Sequence, residues 1–179
     1  MKNQAFTLIE LLVVVLIIGI LVAVALPQYN RAVIKIQLHK GIPLVESIYQ
    51  AQNAYFLTHG KWAKSANDLD ISIPVNSSCS YTSNPNAGTN NSHYFYTCDY
   101  GTIGQWDGFK NVQFQASTGN ISYVHYLEDD NRTWYSLHFY PGKRYCFAKD
   151  SDAESVCVQM GGKRMGAMGS SWKSVYALD

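Results

Sequence analysis

The feature that most constrains this chain is an uncharged run, Leu11 to Asn30, built mostly of Leu, Val, Ile and Ala. Counted from Phe6 to Leu26 the apolar segment is 21 residues long, about 31 Å as an α-helix. That matches the hydrocarbon core of a bilayer, about 30 Å. One carboxylate, Glu10, stands within it, preceded by Phe6-Thr7-Leu8-Ile9. An ionisable residue in a membrane span is costly unless paired, so its partner has to be named.

Three arrangements compete. A cleaved secretory signal would use Lys2 and the small-residue pattern Ala23-Val24-Ala25, but the run is longer than a signal's apolar region and Glu10 interrupts it. A plain membrane anchor leaves Glu10 about 6 Å along the axis from Phe6, near the headgroups, with no role. In the third arrangement the chain is cut between Ala5 and Phe6. Phe6 then carries an α-ammonium that the Glu10 carboxylate of a neighbouring copy can meet. Such a pair is satisfied in one axial register, which makes Glu10 a register pin for helix-on-helix assembly.

Ala5-Phe6-Thr7-Leu8-Ile9-Glu10-Leu11-Leu12-Val13, after a short leader with Lys2, resembles the processing site of type IV pilins and their relatives. Gly19 and Pro27-Gln28-Tyr29 match the same family's N-terminal helix. The family usually has Gly before the cut; Ala5 stands there and is still small. The resemblance implies cleavage and N-methylation at Phe6 by a prepilin peptidase. It also implies recruitment of the next subunit through Glu10, and close helix approach at Gly19. Further implications are self-association into a helical filament, an inner-membrane assembly platform as partner, and lipid around the helix before assembly. The precursor would sit in the inner membrane and the assembled filament outside the cell, serving adhesion, motility or secretion. Within the class the rival is a pseudopilin of a type II secretion system, polymerising in the periplasm. Outside it, the rival is a membrane-anchored periplasmic binding domain.

Beyond the apolar run come Arg31, Lys35, His39 and Lys40, then Leu44, Ile48, Ala51 and Tyr55 at helical spacing, with Glu46, Gln50 and Asn53 mostly on other faces. The spacing predicts one helix from Phe6 to about Leu57, its second half packed on a head, with Gly60 as C-cap. Gly41 and Pro43 predict a kink, or alternatively a break into two helices. The expected organisation is leader 1–5, transmembrane and assembly helix 6–27, amphipathic continuation 28–58 and head 59–179.

In the head, Asn67-Asp68-Leu69 reads as a short helical turn and Asn76–Ser92 as a polar loop stapled by Cys79. Strand signals fall on His93–Tyr100, Asn111–Ala116, Ile121–Leu127, Thr133–Tyr140 and Arg144–Ala148. Turns fall on Ser117–Asn120, Asp129–Asn131 and Pro141-Gly142. Short turns predict antiparallel neighbours, and so an α+β, ladle-like architecture: a helical handle on an antiparallel sheet. The segment Cys146–Asp179 is Gly-rich. Four cysteines, Cys79, Cys98, Cys146 and Cys157, allow three pairings. The sequence-local ones, Cys79–Cys98 and Cys146–Cys157, are preferred. A disulfide-bounded C-terminal region is also what the pilin resemblance implies.

No catalytic constellation is legible, so no enzyme is expected. The five histidines lack ligand spacing, although His125 and His138 fall in predicted neighbouring strands. No cofactor is expected; calcium is the one candidate ion, at Asp150-Ser151-Asp152-Ala153-Glu154 or Glu128-Asp129-Asp130. Thirteen tyrosines could stack bases, but a net charge of +1 lacks the basic excess that nucleic-acid binding needs.

Overall fold

The computed structural model describes residues 6–73, 77–84, 93–106, 110–132 and 136–179. Helix α1 runs from Leu8 to His59 as one 52-residue element, about 78 Å long. It passes through Pro27 and Pro43 unbroken, so the alternative of two helices is excluded. Pro43 lies on the exposed face, where the carbonyl it frees meets water. The helix ends where expected, at Gly60, whose φ of 67° and ψ of 13° place it in the left-handed region and whose N–H bonds the Phe56 carbonyl.

The buried face of α1 carries Ile34, Leu38, Gly41, Val45, Ile48 and Gln52. The expected stripe of Leu44, Ile48, Ala51 and Tyr55 does pack on the head, Ile48 fully buried and the other three half-buried, and the buried face extends more than two turns further towards the N-terminus. Gly41 is in it for a packing reason. A Cβ at Gly41 would lie 2.0 Å from two carbons of the Phe114 ring, so the helix backbone itself rests on that ring. Gln52 is in it as a polar node. Its Nε2 donates to Gln105 Oε1 at 2.6 Å and lies 3.2 Å from both Tyr94 Oη and the Ala63 carbonyl; its Oε1 accepts from Ala63 N–H at 2.9 Å. A buried amide with its hydrogen bonds filled ties the helix end to two strands and to the chain that follows.

The head is built from strands β1 (Ser80–Asn84), β2 (His93–Cys98), β3 (Gly101–Trp106), β4 (Asn111–Ala116), β5 (Ile121–Tyr126), β6 (Asp130–Arg132), β7 (Leu137–Phe139) and β8 (Arg144–Ala148). Helix α2 (Ser151–Gln159) and strands β9 (Lys163–Met168) and β10 (Trp172–Leu178) complete it. A single turn of 3₁₀ helix spans Ala66–Asp68, beside the expected turn. Eight strands form one antiparallel sheet in the order β1-β2-β3-β4-β5-β8-β10-β9; β6 and β7 form a separate hairpin. The α+β architecture is as expected: α1 lies across β3, β4 and β5.

Several local expectations are corrected. The polar loop Asn76–Ser92 contains β1, an edge strand without apolar alternation, held by β2 and by Tyr81 against Tyr96; residues 76 and 85–92 lie outside the described part. The strand expected over His93–Tyr100 stops at Cys98. β3 follows at once, masked in the sequence by Gly101 and Gly104. Asp130 and Asn131 are not a turn but part of β6. The strand expected over Thr133–Tyr140 is seen as β7 alone, with residues 133–135 outside the described part. β7 and β8 are joined by a short turn yet do not pair; β8 pairs with β5 instead. The Gly-rich segment after Cys146 holds α2, β9 and β10, and β10 lies deep in the sheet.

Strand β5, between β4 and β8, is covered on both faces, and every residue from Ile121 to Tyr126 is buried. Ile121 and Tyr123 face α1, while Val124 and Tyr126 join Leu137, Phe139, Tyr145, Phe147 and Val175 in a second core on the far side. Both expected disulfides are present. Cys79–Cys98 ties the approach to β1 to the end of β2, and Cys146–Cys157 ties β8 to α2. Reducing both removes cross-links worth about 3 kcal/mol each in the chain-entropy account. The full chain in detergent is expected to melt at least about 10 °C lower under reductant; an unchanged melting temperature would mean the bridges add nothing to stability.

Candidate functional site

The site begins at the start of α1. Thr7 is the N-cap, and Glu10 stands at the third helical position. Glu10 Oε2 accepts from Thr7 N–H at 2.8 Å and from the Thr7 hydroxyl at 2.6 Å, while Glu10 N–H points at Thr7 Oγ1 at 3.4 Å. This is a capping box, in which two helix-start donors are satisfied reciprocally. The Thr-x-x-Glu pattern at residues 7–10 announces it in the sequence, but attention to the carboxylate's charge hides its capping role. Phe6, the first described residue, is 74% exposed; Ala5 lies outside the described residues.

Above the box, every residue from Phe6 to Leu26 is exposed. The helix is long and apolar enough to cross a membrane. At Gly19 nothing lies within 4 Å of where a Cβ would be, so nothing in the chain itself uses that small residue. Pro27 closes the run inside the unbroken helix. The structure thus places Phe6, Glu10, Gly19 and Pro27 on one naked rod, with Phe6 and Glu10 at its tip. It brings none of them to the head.

The other candidate residues are accounted for within the fold. His125 and His138 are not neighbours. His125 is in β5 beside β4 and β8, whereas His138 is in the separate hairpin, 2.5 Å from Asp129. Asp150 Oδ1 caps α2 by accepting from Ala153 N–H at 2.8 Å. Asp152 holds Arg31 of α1 at 2.8 Å, and Glu154 accepts from the Ser174 hydroxyl. Glu128 accepts from Trp62 Nε1–H at 2.5 Å, and Asp130 lies 3.6 Å from Lys110. Among the described residues no group of three or more His, Cys, Asp or Glu is placed to hold a metal ion.

Residues 1–26 match the family model described as the prokaryotic N-terminal methylation motif. The chain is 41% identical over 72 residues to the type IV major pilin protein PilE1 of Neisseria gonorrhoeae, covering 40% of this chain and 44% of that protein. These matches support the type IV pilin family. Two more pilus proteins are similar. The type IV major pilin protein PilA of Myxococcus xanthus is 34% identical over 68 residues, 38% of this chain and 31% of PilA. The fimbrial protein EcpC of Eikenella corrodens is 37% identical over 74 residues, 41% of this chain and 48% of EcpC. The chain spans less than half the length of the curated relatives it matches. No solved structure matches it. The family model thus covers the start of the rod.

Proposed function

We propose that this chain is a structural subunit that polymerises into a type IV pilus-like filament, and is not an enzyme. The observation that carries the reading is the naked apolar rod with a carboxylate near its tip, under a matched methylation motif. A prepilin peptidase cuts between Ala5 and Phe6 and the new Phe6 amine is methylated. Until assembly, lipid covers Phe6 to Leu26 in the inner membrane. An assembly platform then lifts the subunit, and neighbouring rods replace lipid, close approach being allowed at Gly19. The helix continues past Pro27 into the head, so the head is carried to the filament surface outside the cell.

Glu10 uses Oε2 for its cap, and among the described residues no hydrogen bond is seen at Oε1. A neighbour's Phe6 ammonium can therefore approach Oε1 without uncapping the helix, and the charge pair sets the axial register. The test is fractionation. Filaments sheared from cells that also carry a prepilin peptidase and assembly platform are expected to contain this chain. Its confinement to the membrane fraction would contradict the proposal.

A further inference from the structure

The interface between handle and head contains a buried titratable group that filament assembly does not use. His125 lies in β5, the strand buried on both faces, and is only 5% exposed. Its ring stacks on Tyr49 of α1 with centroids 3.5 Å apart and planes 7° from parallel. Nδ1 is 3.3 Å from Glu46 Oε2, also on α1. Among the described residues neither ring nitrogen makes a hydrogen bond of good geometry, although the Glu46 carboxylate and the Gly142 backbone both lie close enough to favour a proton on the ring. Burial away from water works against that charge.

The surroundings decide what a proton would meet. From α1 come Glu46 and Tyr49. Glu46 is already engaged, because its Oε1 accepts from the Tyr123 hydroxyl at 2.5 Å. From β8 comes Arg144, directly across from His125 in the ladder. β4 contributes the neutral Val112, and the Gly142 backbone lies beside the ring. One carboxylate, shared with a tyrosine and one-third exposed, faces a guanidinium and a dry, stacked interior.

We propose that His125 is an acid-released latch between the long helix and the sheet. As neutral imidazole it stacks on Tyr49 and closes the interface. As imidazolium it must take up water or turn away, and the helix loosens from β5. Burial pushes the imidazole below its ordinary value and outweighs the opposing pull of Glu46 and of the Gly142 backbone, with Arg144 acting in the same direction as burial. The sign follows. Below the ordinary imidazole value of 6.5 the unfolded chain takes a proton that the folded chain resists. Stability present above that pH is therefore lost as the pH falls. The head would hold firmly to its rod at neutral pH and slacken in acidic surroundings.

The experiment is a titration of the wild-type full chain in detergent micelles, following the His125 ring by NMR and the melting temperature from pH 7.5 to 5. The expected results are a midpoint below 6.5 and a melting temperature that falls by about 4–8 °C. His125→Phe, which keeps the stack on Tyr49 and cannot take a proton, is expected to flatten that fall. A ring midpoint above 6.5, or a melting temperature that rises on acidification, would overturn the latch. So would a folded His125→Phe chain with the wild-type pH slope. Because the midpoint is read on the wild type, the proposal stays testable if the variant does not fold.

Discussion

Glu10→Gln is expected to insert in the membrane normally, keep its helix start, and yield no filaments. The comparison separates two roles that one carboxylate plays. A glutamine at the third helical position can still accept from Thr7, since Gln serves in capping boxes as Glu does. It cannot answer a neighbour's Phe6 ammonium. If the charge pair sets register, Glu10→Gln and Glu10→Ala lose assembly alike, with membrane levels of the chain unchanged. If Glu10→Gln assembles at wild-type yield and Glu10→Ala does not, the carboxylate matters for the cap and not for the pair. Normal filaments from both would remove Glu10 from assembly altogether.

The second large effect is on the head. Replacing a glycine inside a helix by alanine ordinarily stabilises by about 1 kcal/mol. At Gly41 the sign is expected to reverse. The added methyl would sit 2.0 Å from the Phe114 ring, and Phe114 is fully buried. Overpacking of this kind costs about 1–3 kcal/mol, and more when backbone must move. Gly41→Ala is therefore expected to lose about 2 kcal/mol net and to melt about 4–8 °C lower. Phe114→Leu added to it should recover part of the loss, because the clash and the ring leave together. Gly19→Ala, with nothing within 4 Å, should leave the head's melting temperature unchanged. If Gly41→Ala melts at or above the wild-type temperature, the helix does not rest on that ring.

Gly41 also shows where sequence reading loses information. Beside Pro43 it looks like a break, because both residues are poor helix formers. Yet close approach to Phe114 supplies a reason for glycine that propensity cannot express. The rod's length, its carboxylate, its C-cap at Gly60 and its pilin-like start follow from local pattern; its continuity through Pro43 and the full extent of its buried face do not. Strands β4 and β8 were legible to the residue, β4 because Val112, Phe114 and Ala116 alternate with polar residues and β8 because Tyr145 to Ala148 form a continuous apolar run. β1 was not, since an edge strand facing water needs no apolar alternation. β6 was read as a turn because two aspartates and an asparagine meet there. β10 was hidden among glycines, and its place between β8 and β9 depends on long-range pairing that no local pattern encodes.

The candidate residues divide the same way. Charge called attention to Glu10 and away from its capping partner Thr7, although the Thr-x-x-Glu spacing was there to be read. The acidic cluster at residues 150–154 reads as a cation site when only carboxylates are counted. In the fold, Asp150 is spent on a helix start, Asp152 on Arg31 and Glu154 on Ser174. Gln52 gave no sequence signal, and His125 was noticed only beside His138, which is not its neighbour in the fold. A polar residue on an apolar helix face and a histidine in a strand acquire meaning only from what packs on them.

The mass of the N-terminal peptide of this chain, recovered from sheared filaments or, failing those, from cells, tests most directly whether the chain is a processed filament subunit. The predicted result is a peptide that begins at N-methylated Phe6, which supplies the cation that Glu10 requires. A peptide beginning at Leu26 would mean that cleavage after Ala23-Val24-Ala25 frees the head from its rod. An intact Met1 would leave a plain anchor with no amine for Glu10 to meet. Either of those results would contradict the filament-subunit reading.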